Sequence, residues 1–278
     1  MKDLFNIDAV SLLIKSTGQN ELLPRAMRVN SEKKADGSWL TEADTIAHEI
    51  LTNSLQEISG FPVLSEEASI EEQNKLMQSE DIWWCVDPLD GSSNFAAGIP
   101  YYAISVALVV KGDVEFAAVY DSSADEFFTA VRGQGASLNG RSLDCRQYQR
   151  PLADAIGLID FKRLPETLAS ALAAKPPWAS QRSFGASALD WCQLAAGRCH
   201  IYLHGKQMPW DYAAGKLILT EAGGIGSDWQ GEPPVVKNNQ SVRVLATVSE
   251  YSYRECLTFL SRLDNNNFTN TEPLSAAV

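Results

Sequence analysis

The chain of 278 residues is poor in the side chains that build soft-metal sites. It has three histidines, His48, His200 and His204, and five cysteines, Cys85, Cys145, Cys192, Cys199 and Cys256, with no Cys-x-x-Cys pair. Little is left from which to assemble a zinc site. An odd cysteine count without paired spacing excludes a disulfide framework and reads as reduced, buried thiols of a cytoplasmic protein. Cys192 and Cys199, seven apart, are expected to pack on one helix face. Positive charge is also scarce. Lys and Arg number 23 against 35 Asp and Glu, giving a net charge of −12 and a pI of about 4.7. That balance argues against nucleic acid or an anionic membrane surface as a partner. No apolar run reaches the roughly 18 residues of a membrane span. No basic segment precedes an apolar stretch at the N-terminus, where Asp3 and Asp8 interrupt, so no signal peptide is expected. Apolar residues make up 45%, enough for a sizeable core in one large or two ordinary domains.

Leu4, Ile7, Val10 and Ile14 recur at helical spacing, which predicts a helix over 4–16, and Ala47, Ile50, Leu51 and Ile58 predict another over 42–58. Residues 31–38 between them are polar and read as a mobile loop. Short strands over 61–64 and 82–86 each end in carboxylates, at Glu66-Glu67 and at Asp87. In layered α/β folds, ligands bind at such strand ends. Segments 103–110, 114–120 and 126–131 read as an antiparallel meander. A second section begins near residue 147, with strands near 155–159, 201–203 and 243–248 and helices near 164–174, 186–196, 211–222 and 250–262. The division expected is 1–146, an α+β half carrying most metal ligands, 147–264, an α/β half with Asp211 and the substrate pocket, and a frayed tail over 265–278.

The densest chemistry lies in Asp87-Pro88-Leu89-Asp90-Gly91-Ser92-Ser93-Asn94. Asp87 and Asp90 offer oxygen ligands for a hard divalent cation. Gly91, Ser92 and Ser93 offer backbone N–H groups and hydroxyls for a phosphate. Both together point to metal-assisted phosphate chemistry. A bound cation would also reverse the local charge of an acidic protein that takes an anionic substrate. Ser65-Glu66-Glu67 adds a carboxylate pair, although the following Glu71 and Glu72 fit a surface loop equally well. Thr41-Glu42-Ala43-Asp44 has the spacing of a helix cap. Ala213-Ala214-Gly215, after Trp210-Asp211, lets something approach closely. Gly133-x-Gly135 and Gly223-Gly224-x-Gly226 do not open a helix after a strand, so a dinucleotide fingerprint is rejected.

In combination and order, Thr41 to Asp44, Ser65 to Glu67, Asp87 to Phe95, Trp210 to Gly215 and Glu221 to Gly224 resemble the inositol monophosphatase family. The resemblance runs from about residue 4 to residue 262. It implies a layered αβαβα sandwich and a Mg²⁺-dependent phosphomonoesterase of small sugar, polyol or related phosphates. By that resemblance Glu66, Asp87, the Leu89 carbonyl, Asp90 and Asp211 hold two Mg²⁺ ions, with a third near Glu66 and Asp44. Ser92, Thr41 and Asp44 orient and deprotonate the attacking water, with Glu67 in support. Gly91, Ser92 and Ser93 hold the phosphate. Ser187, Ala186, His204 and Asp211 line the substrate pocket, and Lys33 and Lys34 fall in a loop that closes over the metals. His204 stands where inositol-specific members have glutamate, which opens the substrate to histidinol phosphate, fructose 1,6-bisphosphate or 3′-phosphoadenosine 5′-phosphate. The family implies a homodimer. The rival reading is a protein that keeps the fold for a regulatory or binding role, alone or beside catalysis.

Overall fold

The computed structural model describes residues 4–26, 31–33, 39–236 and 239–264. Helix α1 (Ile7–Thr17) starts where the Asn6 side chain accepts from the Ala9 N–H. Strands β1 (Ser31–Lys33) and β2 (Trp39–Thr41) pair antiparallel and lead into α2 (Glu42–Ser59). Then come β3 (Val63–Ser65), α3 (Ile70–Ser79), β4 (Ile82–Asp90) and the short α4 (Ser92–Ala96). The meander follows as β5 (Ala103–Val110), β6 (Asp113–Asp121), β7 (Glu126–Val131), β8 (Ala136–Leu138) and β9 (Arg141–Ser142). Strands β3 to β9 form one seven-stranded sheet in chain order, antiparallel except for the β3–β4 pair.

The second section runs β10 (Ile156–Ile159), α5 (Glu166–Ala174), β11 (Ser180–Arg182), α6 (Ser187–Ala195) and β12 (Ile201–Gln207). It continues with α7 (Pro209–Glu221), β13 (Ile225–Asp228), β14 (Val242–Thr247) and α8 (Glu250–Asp264). Its five-stranded sheet has the order β11-β10-β12-β14-β13, with β10 parallel to β11 and β12 and β14 antiparallel to both its neighbours.

Each sheet is buried on both faces, which is why its strands read as continuous apolar runs. Along β4 the alternation is still exact in space. Trp84 and Val86 face α1 and α2, whereas Trp83 and Cys85 face α6 and α7. Helices α6 and α7 lie between the two sheets and share one core with both, and α5 and α8 cover the far face of the second sheet. The layers are therefore αβαβα, as expected. Trp84 and Trp191 are fully buried. Each removes about 200 Å² from water, at most on the order of 5 kcal/mol. Among the described residues no helix is long and apolar enough to cross a membrane.

Several local expectations change. Residues 31–33 form a strand rather than loop, and 34–38, with Lys34, lie outside the described residues, as does the tail 265–278. Glu71 and Glu72 sit in the first turn of α3, where Ser69 and Glu72 form a reciprocal capping box. The helix is polar, so apolar periodicity does not announce it, and the Ser69-x-x-Glu72 spacing is its only local signal. All five cysteines are free and buried, but Cys199 lies beyond the end of α6 and so does not share its face with Cys192. His200, expected at the surface, is buried, and its Nδ1 accepts from the Ile156 N–H at 3.1 Å.

The close approach permitted by Ala213-Ala214-Gly215 is that of Trp191 on α6. A methyl at Gly215 would overlap Trp191 Cβ, and one at Gly226 would stand 2.6 Å from the far edge of the same indole. The rejected glycine turn has its own occupant. The Glu221 carboxylate accepts from the Gly133 and Gly135 N–H groups, each at 2.8 Å, tying the end of α7 to the β7–β8 turn. Gly215→Ala should destabilise the fold by about 1–3 kcal/mol through overpacking. Thermal or denaturant unfolding would read this, and a change below a few tenths of a kcal/mol would refute the packing role.

Candidate active site

The ends of β3, β4 and β10 and the starts of α6 and α7 open onto one cleft of about 980 Å³. Glu66, Glu67, Asp87, Leu89, Asp90, Gly91, Ser92, Ser93, Ser187, His204 and Asp211 all line it. Residues separated by more than a hundred positions thus meet because both sheets direct strand ends toward the same gap.

Asp87 and Asp90, three apart, would point to opposite faces of a regular strand. The β4–β5 register shifts between Asp87 and Asp90, where Pro88 offers no N–H to the ladder, and this bulge turns both carboxylates to the cleft. Asp87 Oδ1 accepts from the Leu89 N–H at 3.0 Å, fixing the turn. Asp90 accepts from the first N–H groups of α6, Ser187 at 3.1 Å and Ala188 at 2.7 Å. Gly91 follows at φ 86°, and a Cβ there would also meet the Tyr101 carbonyl oxygen at 2.9 Å. Only glycine fits this corner. It leaves the N–H groups of Ser92 and Ser93 at the start of α4, where helix geometry gives them no intrahelical partner.

Glu66 and Glu67 follow β3 on a loop pinned from beneath. The buried Gln73 carboxamide donates to the carbonyls of Ser65, Glu66 and Ala68 at 3.0, 3.2 and 3.1 Å. The Ser65 hydroxyl bonds His48 Nδ1 at 2.8 Å and lies 3.4 Å from the Glu67 N–H, so its side chain serves the turn. Thr41 and Asp44 are both buried and form a capping box at the start of α2. Asp44 Oδ2 accepts from both the Thr41 N–H and its hydroxyl. Asp211 caps α7 in the same way, accepting from the Met208 N–H at 2.8 Å.

Electrostatics mark the cleft as a place for positive charge. Desolvation, opposed by the Ala188 and Ser187 N–H groups and reinforced by the charge of Glu66, pushes the Asp90 carboxyl up to about 7. Desolvation, with repulsion from Asp90 and Glu66, raises Asp211 well above the carboxylate range. Among the described residues no three ligating side chains already surround a single point. Like charges hold apart, and Asp87, Asp90 and Asp211 each lean on backbone N–H groups. The donor set nevertheless fits a hard divalent cation. It consists of oxygens from carboxylates and a carbonyl, and two of the carboxylates are driven toward protonation by desolvation and by neighbouring negative charge.

The opposite wall holds His204, which the sequence pointed to, and Asp160 and Asp190, which it did not. His204 lies inside β12 rather than in a loop, and it is 5% exposed. Its Nε2 is 3.2 Å from Asp160 Oδ2, and its Nδ1 accepts from the Lys206 N–H at 3.1 Å. Both ring nitrogens are therefore engaged. Asp160 ends β10, so the strand-end rule that flagged Glu66 and Asp87 would have found it. Asp190 accepts from the Tyr101 hydroxyl at 2.9 Å. It is raised far above its usual range by burial, and nothing local in the sequence sets it apart. Arg163 and Lys206, exposed on the same wall, place positive charge at the rim of the cleft.

Comparison with known proteins accords with this geometry and corrects one expectation. The Nus factor SuhB of Vibrio cholerae is 35% identical over 219 residues, which is 75% of this chain and 79% of that protein. The IMPase of Thermotoga maritima superposes with a TM-score of 0.81 at 25% identity, covering 96% of this chain and 99% of that one. An IMPase/NADP phosphatase complexed with Mg²⁺ and phosphate superposes with a TM-score of 0.76 at 22% identity, covering 87% and 90%, which speaks to the fold alone. The name Nus factor overturns the expectation that proteins of this kind have no nucleic-acid-linked partner. Net charge disfavours a polyanion spread over the whole surface, but it does not bear on a protein-mediated or local contact. The family model described as the inositol monophosphatase family matches residues 8–258, and the chain belongs to that family.

Proposed function

We propose that this chain is a dual-role member of the family. It keeps a working phosphomonoesterase site and carries a regulatory, transcription-linked binding role of the kind named in its Nus factor relatives. The observation that supports the catalytic part is the convergence of Glu66, Asp87, Asp90 and Asp211 from separate strands and a helix on one cleft. The relatives' name supports the regulatory part, and the substrate is a small phosphorylated sugar, polyol or related metabolite.

Glu66, Asp87, the Leu89 carbonyl, Asp90 and Asp211 would hold two Mg²⁺ ions, with a third, more loosely held, near Glu66 and Asp44. When bound, Mg²⁺ neutralises phosphate charge and acidifies water. The residues of the chain do the rest. The N–H groups of Gly91, Ser92 and Ser93 donate to the phosphate oxygens and orient phosphorus for in-line attack. The Ser92 hydroxyl positions the attacking water. That water passes a proton to Thr41 Oγ1 as the Thr41 hydroxyl proton moves to Asp44 Oδ2, along the hydrogen bond already in place. Glu67 supports the loop that carries Glu66.

Phosphate release should be measured on inositol 1-phosphate, fructose 1,6-bisphosphate, histidinol phosphate and 3′-phosphoadenosine 5′-phosphate. Asp211→Asn should cut turnover at least a hundredfold while leaving capture of transcription proteins intact. Near-normal turnover in that variant refutes the catalytic reading, and loss of partner capture together with turnover refutes two separable roles. Proton linkage gives a second test. The raised Asp90 carboxyl means that the metal-free fold holds a proton that the unfolded chain releases near pH 4. Stability without metal should therefore fall as pH rises from about 4 to about 7, and Mg²⁺ should restore it. Melting curves in chelator and in Mg²⁺ at pH 5 and 7.5 would show this, and parallel curves at both pH values would refute it.

A further inference from the structure

The leaving-group wall of the cleft contains a carboxylate with a fixed orientation and no part in the chemistry described so far. Asp160 closes β10 at its C-terminal end, on the sheet opposite the one that carries Gly91, Ser92 and Ser93. Its Oδ1 accepts from the Lys162 N–H at 3.1 Å, and its Oδ2 faces His204 Nε2 at 3.2 Å. Since His204 Nδ1 accepts the Lys206 N–H, the ring proton sits on Nε2 and is donated to Asp160. The backbone holds this pair as firmly as the side chains do. The Asp160 N–H donates to the Leu203 carbonyl at 3.3 Å. Gly205 lets the Arg163 carbonyl pack against β12 where any side chain would overlap it.

The Asp160 side chain is 27% exposed, and the exposed part borders the cleft. Burial works against its charge. The hydrogen bond from His204, with the charge of Arg163 and the Lys162 N–H, outweighs burial and holds the carboxyl below its usual range, so it is ionised at neutral pH. An ionised carboxylate has about four lone-pair positions, and two are used by the fixed donors. The remaining acceptors, open to the cleft, can take donors from a ligand in place of water. A phosphate has none to give, whereas the hydroxyls of a polyol do, and a preorganised charged acceptor binds them strongly.

We propose that Asp160 is the specificity-determining residue of this site. Positioned by His204, it accepts hydrogen bonds from hydroxyls on the leaving group and selects polyol monophosphates over esters that lack hydroxyls. The proposal rests on the phosphomonoesterase reading for its setting, but its test separates the two. Inositol 1-phosphate and cyclohexyl phosphate share a six-membered ring and differ in ring hydroxyls, so the pair isolates the contact. The wild-type protein should prefer inositol 1-phosphate in kcat/KM by at least tenfold. Asp160→Asn, with an unchanged melting temperature, should raise KM for inositol 1-phosphate by about tenfold to a hundredfold. It should leave kcat and all constants for cyclohexyl phosphate within twofold. An equal effect on both esters, or none on either, overturns the assignment. Calorimetric titration of the same two esters in the presence of Mg²⁺ reads the contact without turnover. Selective binding that Asp160→Asn abolishes, in a protein that hydrolyses neither ester, supports this assignment and contradicts the phosphatase reading. Equal binding of the two esters by both proteins contradicts the assignment whatever the turnover.

Discussion

The organising constraint of this protein is the convergence of like charge. Asp90, Asp211 and Glu66 are brought from β4, α7 and the β3 loop into one cleft, where desolvation first and repulsion second raise the proton affinity of Asp90 and Asp211. Leaving such groups together uncompensated is costly. The surrounding structure spends much of its hydrogen bonding on holding them in place. The α6 N–H groups reach Asp90, the Leu89 N–H reaches Asp87, the Met208 N–H reaches Asp211, and Gln73 secures the loop of Glu66 through three carbonyls. A protein that needed only stability would replace these carboxylates with apolar side chains. Their retention is what the proposed cation and phosphate site would require.

The layers explain how that site is assembled. Helices α6 and α7 pack between the sheets through Trp191, which sits against Gly215 and Gly226, and the two helices meet closely enough for their N-termini to face the same gap. One sheet then brings the turn after β4, and the other brings Asp160 just after β10 and His204 within β12. The two walls of the cleft are thus contributed by different parts of the chain.

What sequence made legible follows the same division. Residues whose partners lie within a few positions were readable. Asp87 to Ser93 carries its ligands, its turn and its N–H donors in one stretch, and Thr41 with Asp44 is a cap at fixed spacing. The longer apolar strands and helices were legible to within a few residues because apolar periodicity is local, whereas the polar helix α3 and the short strands β11 and β13 gave no such signal. The parts that sequence left obscure depend on distant pairs. Tyr101 with Asp190, His204 with Asp160 and Glu221 with the β7–β8 turn become visible only when the sheets are assembled. His204 is the sharpest example, since its position suggested a substrate contact, whereas both its nitrogens serve neighbours. The partner expectation failed for another reason, because net charge is a property of the whole surface and interaction is a property of a patch.

The central claim is that the converging carboxylates form a divalent-cation site with phosphate bound beside it. Anomalous diffraction from crystals soaked in Mn²⁺ and phosphate would test it directly. The account predicts two strong peaks bounded by Glu66, Asp87, the Leu89 carbonyl, Asp90 and Asp211, with phosphate against the N–H groups of Gly91, Ser92 and Ser93. Peaks elsewhere on the chain, or an empty cleft at saturating Mn²⁺, would contradict it.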